Sequence, residues 1–144
     1  MSIDRQKNIA MLKQVTKDRQ QHTLLHALGM EILHIGEDKI SARMPVDERT
    51  VQFYGMLHGG ASLALAETLA SMGAFIFIDA DTQMCVGQEI NGNHIRSATS
   101  GSVIGEAKPV HLGRTSQVWQ IEIKNEENKL VCLSRMTIAV VPKR

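Results

Sequence analysis

Between Gly59 and Ile78 the chain runs for twenty residues with a single ionisable side chain, Glu67. The rest is apolar or small, and the segment is long enough for five turns of helix. A helix apolar all round is a buried helix. Ala61, Ser62, Ala64, Ala66, Ala70, Ser71, Gly73 and Ala74 would keep it thin enough for other elements to wrap. A carboxylate taken out of water without a partner costs several kcal/mol, in the range of roughly 2–7 for a polar group alone. Glu67 is therefore expected to be either a satisfied core group or a group with chemistry to do.

The remaining composition restricts the setting. A chain of 144 residues supports one domain with a real core. Hydrophobic content of 43% and charged content of 22% belong to an ordinary globular protein and exclude a disordered or collagen-like one. A net charge of +1 offers no overall field for nucleic acid or an anionic membrane. Residues 1–28 hold Arg5, Lys7, Lys13, Lys17 and Arg19 against Asp4 and Asp18, which reads as a solvated helix face. Cys85 and Cys132 lack CxxC spacing and are expected to be free thiols on strands. Neither an N-terminal leader nor a membrane span is expected, which makes the cytoplasm the default compartment.

Periodicity predicts a peripheral helix over 3–20 and a short one over 23–28, stopped by Gly29 as its C-cap. Met30, Ile32 and His34, then Ile40, Ala42 and Met44, alternate around Gly36-Glu37-Asp38-Lys39 as a hairpin would. Pro45 ends the second strand. After the long helix come four runs of sheet character, over 84–95, 102–112, 115–124 and 130–141, the first interrupted by Gly87 and Gly92. Strands segregated from one helix argue an α+β fold. One helix can serve six strands only if the sheet curls around it. The expected organisation is an N-terminal helical extension over 1–22 and a main domain over 23–144.

At the start of the long helix, His58-Gly59-Gly60 would present free backbone N–H groups and the positive end of the helix dipole. That arrangement suits an oxyanion, although glycines before a helix also serve plain loop geometry. Ser71, four residues beyond Glu67, could donate to its carboxylate. Gly59 and Glu67 are eight positions apart, ~12 Å along one helix. A reacting carbonyl needs its donor and its nucleophile or base each within ~3 Å. If both groups act, they must come from two antiparallel copies of the helix, which requires at least a two-fold dimer with two sites across its interface.

From about Leu24 to Val141 the residues resemble a known family. Met44-Pro45-Val46-Asp47, the run from Gly55 to Ser62, Ala66-Glu67, the run from Glu89 to Ala98 and the run from Lys108 to Gly113 are similar to the hotdog-fold acyl-CoA thioesterases of the glutamate-bearing, PaaI-related branch. That branch includes 1,4-dihydroxy-2-naphthoyl-CoA thioesterases, the proofreading thioesterase of enterobactin synthesis and 4-hydroxybenzoyl-CoA thioesterase.

The resemblance implies a curved antiparallel sheet wrapped around one long central helix, assembled as a homodimer at minimum and commonly as a homotetramer. It implies hydrolysis of an aromatic or medium-chain acyl-CoA, with no metal and no cofactor, coenzyme A being part of the substrate. Glu67 would be the nucleophile or general base and the partner subunit's Gly59 N–H would polarise the carbonyl. Gln52 and His58, also from the partner, would orient the thioester, the attacking water or the leaving thiolate, and Ser71 would position the water or the carboxylate. His94 would line the acyl pocket or pantetheine channel. The stretch His94, Ile95, Arg96 and Ser97 and the turn His111, Leu112, Gly113, Arg114, Thr115 and Ser116 would hold the nucleotide, with Arg96 and Arg114 suited to phosphate. Val51-Gln52-Phe53-Tyr54 is bulkier than the Pro-containing version in the branch, so a differently shaped acyl pocket is expected. Two alternatives share the fold, an acyl-thioester dehydratase or hydratase and a non-catalytic acyl-CoA-binding protein.

Overall fold

The structure, a computed structural model, describes residues 2–144. Helix α1 (Arg5–Asp18), a 3₁₀ turn (Gln20–His22) and the short helix α2 (Leu24–Ala27) precede strands β1 (Glu31–Ile35) and β2 (Ile40–Pro45). Helix α3 (Gly59–Ile76) follows, then β3 (Gln83–His94), β4 (Ser102–Leu112), β5 (Ser116–Asn125) and β6 (Leu130–Pro142). The strands form one antiparallel sheet in the order β1-β2-β4-β5-β6-β3. The two long segments flanking α3 thus carry the chain from one side of the sheet to the opposite edge. This is the α+β hotdog arrangement, with the elements close to the expected spans.

The sheet holds α3 by its thinness. Leu65, Ala66, Leu69, Ala70 and Ala74 are fully buried. Trp119 of β5 lies against Gly73 so closely that a Cβ there would come 2.6 Å from the indole. Gly105 of β4 makes the same allowance for Leu69 and Leu65. The Trp119 Nε1–H donates to Gln117 Oε1 at 2.9 Å, and Gln117 donates in turn to the Ala74 carbonyl at 3.3 Å. The indole and the glutamine amide are thereby both paired in the core, as buried polar groups must be.

Enclosure stops at one side of the helix. Glu67 and Gly60 are exposed, and Leu63, Ala64, Ser71, Met72 and Phe75 are only half-buried. Glu67 is therefore not the satisfied core group that one reading of the sequence allowed. A curled sheet of six strands encloses one face of α3, α1 packs against its C-terminal end, and among the described residues the strip bearing Glu67 is left open. Beside this open strip runs β3, an edge strand bonded only to β6, with Met84 and Val86 each about 40% exposed. A long uncapped edge of this kind is a template for pairing with another strand.

The N-terminal helix is fastened to the end of α3. Asn8, 2% exposed, donates its side-chain N–H groups to the carbonyls of Phe75, Ile76 and Ile78 at 3.1, 3.1 and 2.9 Å. Helix ends leave such carbonyls without intrahelical partners. Lys7 pairs with Asp81 and Arg5 with Glu37 at 2.9 Å each, exposed pairs worth little by themselves.

Two outcomes follow from this packing. Asn8→Ala strands buried carbonyls and should lower stability by about 1–3 kcal/mol, read as a lower urea midpoint at unchanged m-value. Cys85 and Cys132 are free, and burial pushes the Cys85 thiol up to about 11 and raises Cys132 as well. At pH 8 both are overwhelmingly thiols, so a disulfide reagent should label the native protein slowly and both cysteines rapidly after denaturation.

Candidate active site

The connection from β2 to α3 sets the helix N-terminus in place. Asp47 accepts from the Arg49 guanidinium at 2.6 Å, and this hydrogen bond holds its carboxyl below the usual range. Thr50 is nearly fully buried. It donates to the Pro45 carbonyl at 2.7 Å and accepts the His58 N–H on its own carbonyl at 2.8 Å. The Leu57 N–H reaches the Ala98 carbonyl at 2.7 Å, which ties the loop to the segment after β3. The tip, Gln52 to Met56, turns through Gly55 at φ 81° and carries the exposed, mutually packed rings of Phe53 and Tyr54.

These links gather several expected site residues around one cavity. Gln52, Gly59, His94, Ile95, Arg96 and Ser97 line a space of about 270 Å³ at the α3 N-terminus, with Leu57, Ser62 and Val131 among its walls. Gly59 fits closely there: a Cβ on it would lie 2.7 Å from His94 Nε2, so the imidazole would have to move. His58 is the helix N-cap, its Nδ1 accepting the Gly60 N–H at 2.8 Å, so the neutral imidazole carries its proton on Nε2. The Gly59 N–H, on the first residue of the helix, finds no acceptor among the described residues and stays available. The Gln52 side-chain oxygen accepts the Tyr54 N–H, which leaves its NH₂ as the group to offer a ligand. Arg96 spends one guanidinium N–H on the Leu130 carbonyl at 2.8 Å and remains exposed.

Glu67 and Ser71 do not line this cavity. They lie on the open strip of α3, two and three turns further along, and no hydrogen bond joins them. The Glu67 carboxylate lies over β3 at Gly87, where a Cβ would come 2.8 Å from Glu67 Oε1 and 2.6 Å from the Met136 Cε. The β3–β6 register slips by one residue between Gly87 and Glu89, a bulge of the kind that redirects side chains beside functional groups. In the sequence Gly87 shows only as an interruption of a strand. A glycine inside a strand is the available signal for close approach, but what approaches is visible only in three dimensions.

The second expected nucleotide segment is elsewhere. Gly113 and Arg114 line a separate cavity of about 260 Å³ with Phe77, Asp79, Thr82 and Gln83, past the C-terminus of α3. His111, Leu112, Thr115 and Ser116 belong to the same end of the sheet, whereas His94, Ile95, Arg96 and Ser97 stand at the other end of the helix. One protomer therefore does not bring the two arginines together.

Residues 54–132, more than half of the chain, match the Thioesterase superfamily. The 1,4-dihydroxy-2-naphthoyl-CoA hydrolase of Escherichia coli K12 is 50% identical over 114 residues, 79% of this chain and 83% of that one. The crystal structure of the thioesterase HI1161 from Haemophilus influenzae superposes with a TM-score of 0.84 at 46% identity, covering 91% of this chain and 90% of that one. The thioesterase SAV0944 from Staphylococcus aureus does so with a TM-score of 0.80 at 39% identity, covering 83% and 98%. Structures of SAV0944 include variants with alanine at a glutamine and at a glutamate fifteen positions apart, the separation of Gln52 and Glu67 here. Match, identity and fold agree: this chain belongs to the thioesterase superfamily and is a hotdog-fold thioester hydrolase.

Proposed function

We propose that the protein hydrolyses acyl-CoA thioesters in a two-fold dimer, with Glu67 of one protomer facing the Gly59 cavity of the other. The observation that carries this reading is the exposed Glu67 carboxylate on an open strip of α3 beside an unpaired β3 edge. An edge strand that pairs antiparallel with its own copy sets the two α3 helices side by side in opposite directions. The free Gly59 N–H and the Gln52 NH₂ of one copy then approach the Glu67 of the next. The same symmetry moves the His94–Ser97 end of one β3 toward the Gln83 end of the other, beside Gly113 and Arg114. Two segments that a single chain keeps apart would thus border one nucleotide site.

In that site the substrate carbonyl oxygen accepts from Gly59 N–H at the positive end of the helix, where developing negative charge is best stabilised. Glu67 either attacks the carbonyl carbon, releasing the thiolate and leaving an acyl-carboxylate anhydride for water to cleave, or takes a proton from the water that attacks directly. Both routes end in free acid and coenzyme A. His58 Nε2–H stands near the helix start as a donor for the departing sulfur. Arg96 and Arg114 offer guanidinium groups to phosphate. The relatives named for coenzyme A thioesters support this substrate class. No cofactor beyond the substrate enters any of these steps.

Glu67→Gln should lower kcat by about 10²–10⁴-fold, measured as thiol release from acyl-CoA, and wild-type turnover by this variant would defeat the assignment. Mixed dimers test the shared site. Glu67→Gln and Gln52→Ala chains, each nearly inactive alone, should recover about a quarter of wild-type activity when refolded together in equal amounts, because half of the dimers carry one intact site. No recovery would mean that each chain builds its own site. Gly87→Ala should displace the carboxylate and lower kcat by about 10²-fold with little change in KM; full kcat in that variant would show that Gly87 does not position Glu67.

A further inference from the structure

Of the four backbone amides that open α3, three are already engaged. The Gly60 N–H donates to His58 Nδ1 at 2.8 Å, and the Ala61 and Ser62 N–H groups donate to the His58 carbonyl at 2.9 and 3.2 Å. Among the described residues, this leaves the Gly59 N–H as the one helix-opening amide open to a ligand. One turn on stands Ser62, 1% exposed and lining the same cavity as Gly59, Gln52 and His94. Its hydroxyl has no hydrogen-bond partner among the described residues, whereas every fully enclosed side-chain polar atom there has one. The Ser62 Oγ therefore opens onto the cavity. Buried polar groups are nearly always paired, and an unpaired one on a cavity wall marks a place where a ligand supplies the partner.

We propose that the Ser62 hydroxyl is a second donor to the thioester carbonyl oxygen, completing with the Gly59 N–H a two-donor hole built on one helix. The inference rests on the reading that this carbonyl docks at Gly59. Ser62 follows Gly59 by three positions, ~4.5 Å along the axis and on a neighbouring face. Helical side chains lean toward the N-terminus, which directs the hydroxyl back toward the Gly59 end. A carbonyl oxygen has two lone pairs, and the negative charge it gains at the tetrahedral stage is best held by donors already in place. Gln52 also borders the cavity, but from the foot of an exposed loop tip. Ser62 shares a rigid helix with Gly59, so the two donors are fixed relative to each other before substrate arrives. No base is bonded to the hydroxyl, which makes it a donor and not a nucleophile. Its proton stays on Oγ while the tetrahedral carbon expels the thiolate.

The test removes the hydroxyl alone. Ser62→Ala, in the full chain, is compared with wild type by thermal unfolding and by thiol release from hexanoyl-CoA and benzoyl-CoA. The infrared carbonyl band is read on bound phenacyl-CoA, a ketone in which a methylene separates the sulfur from a ¹³C-labelled carbonyl, so that no hydrolysis occurs. In the variant kcat should fall about 10²-fold, with KM and Tm near wild type. Binding to wild type should move the band to lower frequency, and Ser62→Ala should cancel about half of that shift, one of two donors being gone. A wild-type kcat overturns the proposal. So does a lowered kcat with the band where wild type puts it, because a serine that only supports the fold does not touch the carbonyl. If the band of the wild-type complex does not shift at all, or wild type releases thiol from neither thioester, the docking at Gly59 is wrong and the role of Ser62 falls with it. That result is distinct from a shifted band that ignores the substitution.

Discussion

A single thin helix pressed into a curled sheet is the contact on which this structure depends. Gly73 against Trp119 and Gly105 against Leu65 and Leu69 let the backbone layers approach more closely than any larger side chain would allow. Close packing of this kind contributes dispersion as well as burial. It also has a boundary, because strands on one side cannot reach the far side of the cylinder they enclose. The same geometry that stabilises the protomer therefore leaves a strip of α3 for chemistry, with an edge strand on one flank and the N-terminal elements on the other.

Much of this was legible in the residues. The change from helical to alternating spacing located all six strands and the long helix, since period-2 and period-3.6 patterns cannot be satisfied by the same backbone. The eight-residue separation of Gly59 and Glu67 already indicated that the two do not meet within one chain, and the structure keeps them apart. Glu67 sits on a helix whose apolar residues pointed to burial, yet it is exposed in the protomer. Apolar neighbours report that a surface avoids water, and they do not report which element or molecule covers it. Leu63, Met72 and Phe75 look the same in sequence as Leu65 and Leu69, yet only the latter pair is fully buried by this chain.

What stayed illegible depends on contacts between distant segments. Nothing in the polar N-terminal stretch marked Asn8 as the residue that closes the end of α3. Gly87 read as a flaw in a strand until the carboxylate above it was in view. The two arginine segments shared a chemical type, and only the topology shows that the length of a helix separates them.

The Asn8 anchor also orders events during synthesis. Asn8 bonds to carbonyls 67 to 70 positions later in the chain, so this anchor of α1 forms only once residue 78 has been made. Until then α1 lacks the helix end it packs on, although its Arg5 can already pair with Glu37. The final docking of α1 on α3 is thereby timed by the C-terminus of α3.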